Sequence, residues 1–94
     1  MVVNTMSSYI ENLFNLEGKI IVITGACGQL GKALCSAYNA LGSKVIGLDL
    51  DISKNQIEEV DYTKLNIEEA SSINTSFQKI YDKYGDFDVL INNA

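Results

Sequence analysis

A glycine-rich octapeptide, Thr24-Gly25-Ala26-Cys27-Gly28-Gln29-Leu30-Gly31, stands between a β-branched apolar run and a helical stripe. That context restricts the fold more than any other feature of the chain. The run before it, Lys19 to Thr24, reads as a strand buried on both faces, as in a parallel sheet. The segment after it reads as a helix to about Leu41, with Leu30, Ala33, Leu34, Ala37, Tyr38 and Leu41 on one stripe. Gln29, Lys32, Ser36 and Asn39 fall on the opposite side, and Gly42 stands where a C-terminal cap glycine belongs.

The same alternation continues. Lys44 to Leu50 reads as a second strand ending in acid, and Ile52 to Glu59 as a short polar connection of one or two helical turns. Tyr62 to Ile67 reads as a weaker third strand. Ile67, Ala70, Ile73, Phe77, Ile80, Tyr81 and Tyr84 form a second helical stripe stopped by Gly85, and Phe87 to Asn92 reads as a fourth strand. Strands alternating with helices predict a parallel sheet with right-handed crossovers. The expected class is therefore α/β: a three-layer αβα sandwich of the Rossmann type, with strand order 3-2-1-4. Ninety-four residues allow one small domain. Residues 1–18 form a lead-in, in which Tyr9, Ile10, Leu13 and Phe14 fall at helical spacing, and residues 19–94 form a partial dinucleotide-binding domain.

Each loop glycine has a physical task. One at the strand end lets the chain turn sharply, a second lets backbone approach a pyrophosphate, and a third lets the helix pack against the sheet. The helix N-terminus adds free N–H groups and a partial positive charge. Asp49 lies 24 residues after Gly25, near the ~20 expected for an acid that binds the adenosine ribose. Its carboxylate suits a ribose diol and repels a 2′-phosphate, and no arginine or lysine flanks it among Leu48, Leu50 and Ile52. NAD(H) is the expected cofactor. A P-loop is excluded: Gly25 is one residue too far from Gly31-Lys32, and Ala33 stands where magnesium needs Ser or Thr.

Composition removes other classes. The net charge is −5, with no basic face to displace counterions from nucleic acid. There is no His, so the commonest general base and metal ligand are missing, and two cysteines alone complete no metal shell. Cys27 and Cys35, a loop and two helical turns apart, are separated by about 12 Å at the helical rise per residue, too far for a disulfide. Reduced thiols fit a cytoplasmic protein, with Cys27 a small filler in a crowded turn. No secretory signal or membrane span is read from the sequence.

Three segments together resemble the short-chain dehydrogenase/reductase family. They are Leu16-Glu17-Gly18-Lys19-Ile20-Ile21-Val22-Ile23-Thr24-Gly25, Leu65-Asn66-Ile67 and Asp88-Val89-Leu90-Ile91-Asn92-Asn93-Ala94. The resemblance runs from about Leu13 to Ala94. It implies that Gly25, Gly28, Gln29, Leu30 and Gly31 wrap the pyrophosphate and ribose, and that Asp49 binds the adenosine ribose. Asn66 then reaches the adenine amine, Ile67 covers the adenine face, Asn93 and Ala94 approach the ribose side, and Asn92 ties the sheet together. Asn66 also suits the N-cap of a helix starting near Glu68. The implied partners are a nicotinamide dinucleotide and a small alcohol or carbonyl substrate, in a homo-oligomer when full-length.

Two features depart from the family's shorter-chain branch. The second loop glycine is Gly28, where that branch has glycine at the position of Gln29; the spacing is that of the longer epimerases and dehydratases. The connection from Asp49 to Leu65 is also short. The family's catalytic Ser, Tyr and Lys are expected after Ala94, because none of Tyr9, Tyr38, Tyr62, Tyr81 and Tyr84 has a lysine four residues on. The leading reading is the cofactor half of an NAD-dependent oxidoreductase. The alternatives are the front of a nucleotide-sugar epimerase or dehydratase, and a non-catalytic NAD-binding module. Sequencing the source transcript past the Ala94 codon tests this: glycine next and a Tyr-x-x-x-Lys further on are expected, whereas an immediate stop codon removes the enzyme reading.

Overall fold

The computed structural model describes residues 16–93; the expected turn over Tyr9 to Phe14 and the role expected of Ala94 lie outside them. The elements are β1 (Ile20–Thr24), α1 (Gln29–Ala40), β2 (Lys44–Asp49), β3 (Asp61–Lys64), α2 (Ala70–Tyr84) and β4 (Val89–Asn92). The strands form one parallel sheet in the order β3-β2-β1-β4. This is the α/β, Rossmann-type order that the sequence predicts.

Alternation along the central strands divides the core. Ile21, Ile23 and Val45 point to the α1 side, where Ala26, Cys35 and Val60 join them. Val22, Ile46 and Leu48 point to the opposite side, with Leu65 and Ile80. Eight of these residues are fully buried, and each Val, Leu or Ile among them contributes about 1.5–3 kcal/mol. The helices therefore cover opposite faces. The chain moves one way from β1 to β2 over one face and the other way from β3 to β4 over the other, so both crossovers have the same hand, as right-twisted strands require.

Helix α1 docks along a different line from the one its large apolar residues suggest. Gly31 and Cys35 are buried, with Leu34 and Tyr38 half-buried beside them. Leu30, at 63 % exposure, and Leu41, at 55 %, face outward with Ala33 and Ala37. Gly31 is the reason. A Cβ there would lie 1.9 Å from the Gly25 carbonyl oxygen and 2.8 Å from Ala26 Cα. The helix approaches the loop backbone where it has no side chain, and the residue one turn on becomes its buried contact.

Helix α2 packs through Ile73, Ser76, Phe77, Ile80 and Tyr84. Ser76 lies on this face because its hydroxyl donates to the Lys64 carbonyl at 2.9 Å. Ile67, Ala70 and Tyr81, assigned to the stripe from the sequence, are exposed. Gly85 ends the helix at φ +77°. Residues 52–59 form bends and turns, not the helical turns expected; side chains held to local backbone, described below, replace a helical ladder there. The third strand ends at Lys64, so Leu65, Asn66 and Ile67 lie past it.

Asp61 fastens β3. Its carboxylate sits 3.3 Å from both Lys44 on β2 and Lys83 on α2. Burial alone pushes this carboxyl up, but the hydrogen bonds from Lys83 and Lys44 outweigh it and hold it below the usual carboxylate range. On the other edge, Asp88 receives the Ile20 N–H at 2.8 Å and returns its own N–H to Ile20. Phe87, Val89 and Leu90 remain exposed along that edge.

Gly31→Ala tests the docking line. The added methyl meets backbone that cannot rotate away, so a loss of about 1–3 kcal/mol or more is expected, read as a lower midpoint in chemical denaturation. Leu30→Ala, on the outward face, is expected to leave the midpoint nearly unchanged.

Candidate functional site

The site lies where β1 and β2 end and α1 begins. Gly25 leaves β1 at φ +65°, in the left-handed region that glycine enters without strain. The chain then folds back against β2, with the Ala26 N–H on the Leu48 carbonyl at 3.1 Å and the Gly28 N–H on the Gly25 carbonyl at 3.3 Å. Gly25 is thus explained by its backbone and Gly31 by helix packing. Gly28 is explained by neither. Its φ is −78°, and a Cβ there would meet only the Gly25 oxygen, at an ordinary 3.6 Å.

The start of α1 is correspondingly open. Its N-cap, Gly28, makes no side-chain cap, and its first turn holds no acid. The Lys32 N–H takes the Gly28 carbonyl at 2.9 Å, so the N–H groups of Gln29, Leu30 and Gly31 precede the helical ladder. Gln29 and Leu30 are exposed beside them. This is a polarity that suits an anion.

Asp49 closes the other side. One carboxylate oxygen accepts the Cys27 N–H at 2.9 Å and the other the Leu50 N–H at 2.7 Å. The acid that the sequence singles out by spacing therefore touches the glycine loop. Beyond it opens a cleft of about 320 Å³ bounded by Gly25, Asp49, Leu65, Asn66 and Ile67, within the ~300–1,000 Å³ range of small-molecule sites. Leu65 is buried at its base and Ile67 stands 57 % exposed. A larger hollow, about 420 Å³, lies beside Phe77, Tyr81 and Phe87, away from the strand ends and the loop.

Asn66 is not a helix N-cap. The helix begins later, at Ala70, and its N-cap is Glu69. The Asn66 side-chain oxygen instead accepts the Glu68 N–H at 3.0 Å, while its own N–H donates to Ser72 Oγ at 2.9 Å. This Asx turn holds Asn66 at the cleft.

At the end of β4, the Thr24 hydroxyl donates to Asn92 Oδ1 at 3.0 Å and accepts the Asn93 N–H at 3.0 Å. The Asn93 amide donates to the Gly25 carbonyl at 3.3 Å. Asn92 and Asn93 thereby fix the exit of β1, and Asn93 touches the loop. Of the ten residues expected in the site, Gly25, Gly28, Gln29, Leu30, Gly31, Asp49, Asn66, Ile67 and Asn93 gather at this one end of the sheet; Ala94 lies outside the described residues.

Sequence reasoning overlooked Asn55. Its side-chain amide donates to the Cys27 carbonyl at 2.8 Å, and its φ is +57°. An asparagine in a polar loop signals a left-handed turn, but nothing in the spacing signals its target.

Both cysteines are free and buried. Burial first, then the Asp49 and Asp51 charges, push the Cys27 thiol up, with Lys54 opposing. Burial, with a smaller part from Cys27, pushes Cys35 up to about 11. Neutral, shielded thiols fit packing, not nucleophilic chemistry. Folding favours the protonated Cys35. Its contribution to stability is complete below its ordinary value of 9.0 and is lost as pH rises through about 11. Alkylation by iodoacetamide at neutral pH is expected to be negligible in the native protein and complete at both residues after denaturation, read by intact mass.

Residues 19–94 match the family described as short chain dehydrogenase. An oxidoreductase of Schizosaccharomyces pombe is 35% identical over 80 residues, covering 84% of this chain and 31% of the relative. The 3-oxoacyl-[acyl-carrier-protein] reductase of Escherichia coli is 36% identical over 88 residues, covering 85% and 35%. The chain thus spans about a third of the length of these relatives. Ligand-free aldohexose dehydrogenase of Thermoplasma acidophilum superposes with a TM-score of 0.76 at 29% identity, over 84% of this chain and 30% of that one. A short chain dehydrogenase of Leptospira borgpetersenii with bound NAD+ gives 0.72 at 25%, over 83% and 32%.

Proposed function

The chain belongs to the short-chain dehydrogenase family, and from that premise we propose that it forms the NAD(H)-binding part of an oxidoreductase acting on an alcohol–carbonyl pair. The observation that carries this is Asp49 at the mouth of the cleft, bonded to the glycine loop through the Cys27 N–H. A dinucleotide fits the residues present. Gly28 is a glycine that packing within the chain does not require, at a place where a side chain would stand in the way of a diphosphate.

In this reading the Gln29, Leu30 and Gly31 N–H groups face the diphosphate. The Asp49 carboxylate receives the adenosine ribose hydroxyls on lone pairs not used by Cys27 and Leu50. Leu65 and Ile67 flank the adenine, and Asn66 stands at its polar edge. Asn93 approaches the ribose on the other side. The nicotinamide, when bound, supplies the hydride chemistry; these residues bind and orient it.

Discrimination against NADP(H) comes from charge. A 2′-phosphate about 4 Å from Asp49 costs ~1–4 kcal/mol in a wet or half-wet site, and Asp51 adds to the negative field. A Ser53 hydroxyl and N–H bond to the Asp51 side chain hold that carboxyl below its usual range.

Calorimetric titration tests the reading. The parent is expected to bind NAD+ more tightly than NADP+. Asp49→Ala is expected to weaken NAD+ and narrow that gap. Tighter binding of NADP+ by the parent overturns the assignment of Asp49. The Gly25, Gly28 and Gly31 spacing favours a second reading, an epimerase or dehydratase. In the full-length protein, reduced nicotinamide accumulating with an alcohol as the only other substrate rules it out.

A further inference from the structure

The connection between β2 and β3 holds the glycine loop through a second bond to Cys27, beside that of Asp49. Within it, Asp51 accepts the Ser53 N–H and hydroxyl at 2.9 and 2.6 Å, and the Gln56 amide donates to the Ile52 carbonyl. The Ile57 N–H donates to the Tyr62 hydroxyl at 2.9 Å, fixing the far end to β3. Between these anchors, Asn55 enters the left-handed region at φ +57° and reaches the Cys27 carbonyl at 2.8 Å.

Cys27 is thereby held through both backbone groups: its N–H by Asp49 and its C=O by Asn55. Its carbonyl belongs to the peptide unit whose N–H is that of Gly28, the residue at the N-cap of α1. Planarity of that unit transmits the constraint. Fixing the Cys27 carbonyl fixes the direction of the Gly28 N–H, which turns back onto the Gly25 carbonyl at 3.3 Å, and with it the start of α1.

We infer that Asn55 is a positioning residue for dinucleotide binding, locking the Cys27–Gly28 peptide and with it the start of α1, whose Gln29, Leu30 and Gly31 N–H groups a diphosphate meets. This rests on the functional reading above and extends it to a residue outside the cleft. A loop locked before the ligand arrives loses less freedom on binding, and the affinity keeps the difference.

Two variants separate the side chain from the backbone. Asn55→Gly keeps the left-handed conformation and deletes the amide. Asn55→Asp keeps the size and replaces the donor by a carboxylate, which donates only when protonated. Calorimetric titration with NAD+ is paired with amide hydrogen exchange of the ligand-free protein. Both variants are expected to weaken NAD+ by about three- to tenfold, the scale of one lost hydrogen bond, and to speed exchange at Cys27 and Gly28. The Asn55→Asp deficit is expected to shrink as pH falls through the carboxyl range. Asp49, Asp51 and Lys54 face the same loop and are common to parent and variant, so the ratio of the two affinities is read. NAD+ affinities within twofold of the parent for both variants overturn the inference, as does a pH-independent deficit in Asn55→Asp. A parent that binds neither NAD+ nor NADP+ overturns the functional reading itself, a result distinct from a parent that binds while the variants match it. If Asn55→Gly does not fold, Asn55→Asp decides.

Discussion

The close approach of Gly31 to the Gly25 carbonyl is the contact on which the rest of the architecture depends. A Cβ there would lie 1.9 Å from that oxygen, so only glycine lets α1 sit on the loop. That seat sets the rotation of α1, makes Cys35 the buried residue of the next turn, and brings the helix start to the end of β2. The carboxylate of Asp49 can then reach the Cys27 N–H. Helix packing and loop geometry are set by the same missing methyl group.

The loop itself is a layered constraint. Gly25 supplies the turn, Asp49 takes the Cys27 N–H, Asn55 takes the Cys27 carbonyl, and Asn93 touches the Gly25 carbonyl from β4. Three separate segments thus converge on the three consecutive residues from Gly25 to Cys27. Such convergence suits a site that must present backbone N–H groups in fixed directions, because backbone has no rotamers with which to adjust.

Much of this was legible in the sequence. The order of strands and helices followed from runs such as Ile20 to Thr24 and Val45 to Leu48, whose continuous apolar character belongs to strands covered on both faces. The position of Asp49 at the end of the second strand was legible from the apolar run that precedes it. The docking line of α1 was not. Counting large apolar residues selects Leu30 and Leu41, while the fold selects Gly31 and Cys35, because close approach rewards the absence of volume and hydropathy does not register absence. The helical turns expected in 52–59 failed for a different reason: Asp51 and Ser53 bond locally in competition with a helix, and Asn55 turns left-handed to reach Cys27. Asn66 looked like an N-cap because its residue type fits one, but the chain spends that side chain on a turn before the helix begins.

The order of strands in the sheet has a kinetic side. β1 meets β2 across 24 residues, as in Ile20 against Lys44, but its other neighbour arrives only after a separation of 68, as in Ile20 and Asp88. Closing the longer loop costs only about 1 kcal/mol more in chain entropy, so the finished sheet loses little stability by it. The sequence of events is affected more. Non-local pairing must wait for the nearby contacts that reward it. The β1–α1–β2 unit, which carries the glycine loop and Asp49, therefore forms around local contacts, and β4 with Asn92 and Asn93 closes on it last. The half of the site that holds Asp49 is built before the half that reaches the Gly25 carbonyl from β4.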